Sequence, residues 1–134
     1  MKNGGFCTLG VLALVASGCL YTGGSPSESP LANSPEGVGG VVTVGPNQYE
    51  GELLTVTRFD LTMRTSQDVV VIPFSRIESG TFLAIDVRIA GPPSQTHLDQ
   101  LRHASRFPYG IPEPAMKAIL SKMGRSAPDT AHAR

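Results

Sequence analysis

The 134-residue chain has two cysteines, no tryptophan and only 6% aromatic residues, and eleven Lys and Arg balance eleven Asp and Glu. Zero net charge argues against a long-range electrostatic pull towards nucleic acid or an anionic surface. Long apolar runs are missing too. The best stretch, residues 6–16, would reach about 16 Å as a helix, roughly half the ~30 Å hydrocarbon core, so it does not span a bilayer. Catalytic punctuation is also scarce. Ser75, Ser79 and Ser94 have no G-x-S-x-G context. "GVGGVV" at 37–42 has no following Lys and precedes strand-like sequence, so it is not a phosphate loop.

What is present begins at the N-terminus. Lys2 is the only charge before Glu28, and it precedes the apolar run and the small residues Ala16-Ser17-Gly18. That order is the signature of an export signal. "Ala16-Ser17-Gly18-Cys19" resembles the lipobox of bacterial lipoproteins, with Ala16 where that family prefers Leu. The resemblance implies a diacylglyceryl thioether on the Cys19 sulfur, cleavage before it, and acylation of the new amine. One acyl chain binds a membrane marginally, whereas two or three hold it stably. The expected address is therefore the bacterial cell envelope, with the chain held to a membrane through its N-terminal lipid. Leu20, where Asp would favour inner-membrane retention, leans towards the outer membrane. Cys7 is lost with the signal and Cys19 is consumed by lipid, which leaves no thiol or disulfide and suits an oxidising compartment.

Four segments follow from this reading: a signal peptide at 1–18, a lipid-anchored flexible linker at 19–37, a folded unit at 38–124 and a disordered tail at 125–134. The linker, "LYTGGSPSESPLANSPEG" from residue 20, has too little apolar content to bury a core. Removing residues 1–18 takes away Lys2 and leaves ten cations against eleven anions. The folded unit is long enough for one domain.

Its first half reads as strands at 41–44, 49–57, 59–65, 68–74 and 81–89, rich in β-branched and aromatic residues. In the last of these, Phe82, Ala84, Asp86 and Arg88 alternate with Leu83, Ile85, Val87 and Ile89, the period of a half-buried strand. Turn chemistry at 45–48, 66–68 and 78–80 keeps the connections short. Five such strands would hide their edges by curling into a small barrel. The second half has helical period. Thr96 offers a cap with Asp99 three residues on, Leu98 and Leu101 mark a buried stripe, and Pro108 stops the helix. A second helix places Met116, Ile119, Leu120 and Met123 on one face, with Pro114 in its first turn and Gly124 past its end.

The pattern "YEGELLTVTRFDLTMRT" followed by "VVVIPFSRIES" resembles small SH3-like barrels, Sm-like ones especially, and barrel segments of uncharacterised envelope lipoproteins. The resemblance covers about residues 41–89. It implies a mainly β fold: a five-stranded barrel with two C-terminal helices, Gly51 at a sharp bend, and Leu53, Val56, Leu61 and Met63 inside. RNA binding does not carry over, because the Asn and Arg-Gly signatures are absent from "LTMRTSQD" and "FSRIESG".

Candidate chemistry concentrates in residues 97–109. Asp99 and His103 share a helix face, but His97 lies about 240° from His103, and two ligands do not make a zinc site. No metal or cofactor is expected. Arg102, Arg106 and Tyr109 form a candidate interaction surface, with anion or headgroup contact as one use and a solvated basic face as the plainer one. Phe107, Tyr109 and Ile111 would either dock the short helices on the barrel, the reading favoured because short helices need apolar anchors, or form an exposed recognition patch. The leading functional expectation is a non-catalytic interaction or structural module with an envelope protein partner. The alternative is a ligand-binding or enzymatic accessory that uses the His97–Tyr109 segment.

Overall fold

The structure, a computed structural model, describes residues 36–132. The expected signal peptide, the lipobox-like residues with Cys19, and nearly all of the expected linker lie outside the described residues. Seven strands and two helices follow: β1 (Gly39–Val44), β2 (Asn47–Val56), β3 (Asp60–Thr65), β4 (Val69–Pro73), β5 (Ser79–Phe82), β6 (Val87–Ala90), α1 (Gln95–Ala104), α2 (Glu113–Lys122) and β7 (Asp129–Thr130). The strands form one sheet in the order β6-β5-β1-β2-β3-β4-β7. All neighbours are antiparallel except β4 and β7.

The fold is mainly β with two helices, as the sequence indicates, but the five-stranded closed barrel is corrected to an open seven-stranded mixed sheet. Two local events account for the difference. The long alternating strand expected at 81–89 is a hairpin. A 3-10 turn at Leu83–Ile85 and a left-handed Asp86, φ 51°, reverse the chain so that Phe82 pairs with Val87. Asp tolerates that backbone better than most residues do. At the other edge, β4 takes β7 as its neighbour and does not close on another strand of the barrel.

Chain segment 125–132, expected to be a disordered tail, is tied down. Ala131 is buried, its N–H donates to the Val71 carbonyl at 2.9 Å, and Arg76 Nη1 donates to the Ala131 carbonyl at 2.6 Å. No apolar periodicity marks this segment, and its attachment depends on an arginine more than fifty residues away. Arg76→Ala is expected to free β7, speeding hydrogen exchange at the Ala131 amide by at least tenfold and costing about 1–2 kcal/mol of stability. Unchanged exchange at Ala131 would refute that role.

Two apolar clusters lie on opposite faces of the sheet. The larger holds Val42, Val44, Leu53, Val56, Leu61, Met63, Ile72, Phe82 and Ile89, and α1 closes it with Leu101. The sequence places Leu53 and Val56 in one interior although three positions separate them, an odd step that strict alternation forbids. A β-bulge between Leu53 and Thr55 resolves the parity: Leu53 opposes Met63 and Thr55 opposes Thr62. The skipped residue, Leu54, faces the second cluster with Val69, Phe107, Ile119 and Leu120. That cluster seats α2 through the stripe expected from its spacing. α2 ends in a Schellman arrangement: the Arg125 N–H reaches the Leu120 carbonyl at 2.9 Å, the Gly124 N–H reaches Ser121, and Gly124 holds φ 68°. α1 is capped by Ser94, two residues before the expected Thr96, and the Ser94 hydroxyl accepts from the His97 N–H. No helix among the described residues is long and apolar enough to cross a membrane.

Candidate functional site

The 97–109 segment divides among different tasks. His103 Nδ1 donates to the Asp99 carbonyl at 2.7 Å, while the Asp99 carboxylate accepts from Arg102 at 3.1 Å and Gln95 at 3.2 Å. Among the described residues no group of three or more His, Cys, Asp or Glu is placed to hold a metal. α1 ends at Ala104, so Arg102 and Arg106 do not share a helix face. Ser105 is extended and fully buried, and Arg106 then turns to the sheet, where its guanidinium lies 5.5 Å from the Phe107 ring centroid. Tyr109 is 83% exposed.

Arg106 instead joins a cluster that the sequence reading missed. Glu52 on β2 is buried, and its carboxylate meets three segments. Oε1 accepts from the Gly37 N–H at 2.6 Å and lies 3.5 Å from Arg106. Oε2 is 2.7 Å from Arg64 Nη2 on β3, a charge contact out of line for a hydrogen bond. The signal was a lone carboxylate directly before "LLTV", where burial demands a counter-charge. Around it, the Val38 carbonyl accepts from the Leu53 N–H, and the Arg106 N–H donates to the Leu53 carbonyl. This cluster is structural: it fixes the point where the chain enters the folded unit.

The surface available for contact lies beside it, on the face of β5, β1 and β2 that points away from the larger cluster. Here Gly39 has no side chain to cover the backbone, main chain of Gly40 and Gly51 adjoins it, Val41, Thr81 and Leu83 form the border, and Glu50 is the one charged lining group among the described residues. The groove holds about 320 Å³, at the small end of ligand-site volumes. Leu83, in the turn that follows β5, is 73% exposed. Two further grooves are polar, one around Gln48, Asp68 and Asp129, the other around Asn47, Thr130 and His132. Residues 97–109 line none of the three.

The apolar groove can hold an aliphatic group over glycine backbone and offer a carboxylate to a cation beside it. Among the described residues that line it, no nucleophile is paired with a base. Comparison of the chain with protein-family models, with curated proteins and with solved structures returned no match.

Proposed function

We propose that this chain is a lipid-anchored protein of the bacterial cell envelope, and that its folded unit is a non-catalytic interaction or structural module. The observation that carries the reading is "Ala16-Ser17-Gly18-Cys19" behind a short apolar run with a single leading Lys. The composition supports it further: residues 20–35 are rich in Gly, Ser and Pro. A chain anchored at Cys19 would then hold the sheet away from the bilayer on a tether of roughly 20 Å root-mean-square length. The structural part of the reading is supported by ion pairs that tie distant segments together, Glu52 with Arg64 and Arg106 and Asp68 with Arg125.

Mass spectrometry of the full chain expressed in a bacterium tests the anchor. The expected result is a peptide starting at Cys19 with acyl mass on its sulfur and amine. Cys19→Ala should abolish acylation and cleavage together. An unacylated Cys19, or one still joined to residue 18, would end the proposal. Crosslinking in intact cells tests the second half, with a defined envelope protein neighbour as the expected outcome.

A further inference from the structure

We propose that the groove face is a self-complementary surface on which a second copy of this chain docks, sheet against sheet, about a two-fold axis. The basis is a row of four residues in register across four strands. Arg88 on β6 opposes Thr81 on β5, Thr81 opposes Val41 on β1, and Val41 opposes Glu50 on β2. All four lie on the outer face, because their neighbours Ile89, Phe82 and Val42 point into the larger cluster. Three strand spacings separate the ends, about 14 Å.

The row has opposite charges at its two ends and an uncharged middle. Arg88 and Glu50 are both exposed, and neither takes part in an ion pair among the described residues. Thr81 and Val41 between them are half-buried.

A two-fold axis parallel to the strands, running between β5 and β1, reverses the row. Arg88 of one copy then faces Glu50 of the other, twice, and Thr81 faces Val41, twice. The same rotation addresses Leu83 and the glycines. Leu83 lies two residues past Thr81, and Gly39 two before Val41, on the same face. The operation sets each exposed Leu83 over the Gly39 of the other copy, where no Cβ obstructs it and the nearest heavy atom to an added one is 3.9 Å away. One symmetry operation thus pairs both free charges and covers the exposed leucine, as an isologous interface requires. Stacked sheets sit ~10 Å apart, a distance these side chains span.

The test uses the full chain in mild detergent and does not depend on acylation at Cys19. Sedimentation equilibrium should show a monomer–dimer equilibrium that weakens as salt rises. Each substitution acts twice at a two-fold interface, so Glu50→Arg and Arg88→Glu should each weaken dimerisation by about tenfold, and the two together should restore it to within about threefold of the parent. Gly39→Ala should weaken the dimer while leaving thermal stability unchanged at concentrations where both proteins are monomeric, and Leu83→Asp should abolish it. A monomer at every concentration overturns the proposal. So does a dimer indifferent to either single charge reversal, or one that the double reversal does not recover. A monomer whose groove is filled by the chain's own N-terminal segment, or by a basic peptide, also overturns it.

Discussion

Replacing Glu52 with alanine is expected to cost about 3 kcal/mol and to lower the thermal midpoint by roughly 15 °C. The carboxylate accepts from the Gly37 N–H and stands between Arg64 and Arg106. Truncation leaves that N–H without its acceptor and Arg106, whose Nε is already buried without one, without its counter-charge. The two arginines are partly exposed, 36% and 25%, so water recovers some of the loss and the cost falls at the lower end for a broken buried pair. Glu52→Gln keeps an oxygen for Gly37 and removes the charge, and about half the loss should remain. Calorimetry of the three proteins decides the matter. A loss under about 1 kcal/mol for the alanine variant would mean that the cluster is a surface feature and not a clamp.

The second large effect concerns Gly51. A Cβ there would overlap the Arg64 carbonyl oxygen and crowd the Thr65 Cα, both backbone atoms of β3 that cannot swing aside. Gly51→Ala therefore has to push β3 away from β2 at the register pair next to Glu52–Arg64. The expected cost is about 3 kcal/mol, at the upper end of overpacking penalties because the obstruction is main chain. Gly39→Ala is the internal control. It lies opposite Glu52 on β1, and its added Cβ meets nothing nearer than 3.9 Å. Less than about 0.5 kcal/mol should change there, since the substitution mainly restricts the unfolded chain. Equal urea midpoints for the two variants would refute the close-approach role of Gly51.

Both substitutions lie next to the groove. Glu52 holds the Gly37 segment that leads into β1, Gly51 brings β3 close to β2, and outer residues of β5, β1 and β2 line the apolar groove beside them. The dimer surface proposed above has to present Arg88, Thr81, Val41 and Glu50 in register, and the buried carboxylate and the close β2–β3 approach would stiffen that part of the sheet.

The kinds of element, and much of what they bury, were legible in local pattern. β-branched runs gave β1 to β4 within a few residues of their ends, because half-buried strands select for that side-chain shape. Met116, Ile119, Leu120 and Met123 gave the inward face of α2, since helical period is written in local spacing. The resemblance to small barrels put Leu53, Val56, Leu61 and Met63 inside, and all four are buried in one cluster, against an open sheet and with Val56 brought in by the bulge. The lipobox-like pattern Ala16-Ser17-Gly18-Cys19 is also local, and the anchoring proposed from it rests on the sequence alone. What tertiary structure decided is everything that depends on which distant segment arrives. An alternating 81–89 run can be one strand or a hairpin, and the choice fell at Asp86, whose backbone sign no period reports. The end of the chain looked featureless until Arg76 and Val71 were brought to it. Arg106 read as the partner of Arg102 by spacing, yet the helix stopped at Ala104 and Glu52 claimed it. The groove needed the register of three strands before its residues became neighbours. Local propensity acts through a few adjacent residues, whereas sheet order and ion-pair choice are settled by burial and charge among residues far apart in the chain, and one sequence read linearly does not encode those distances.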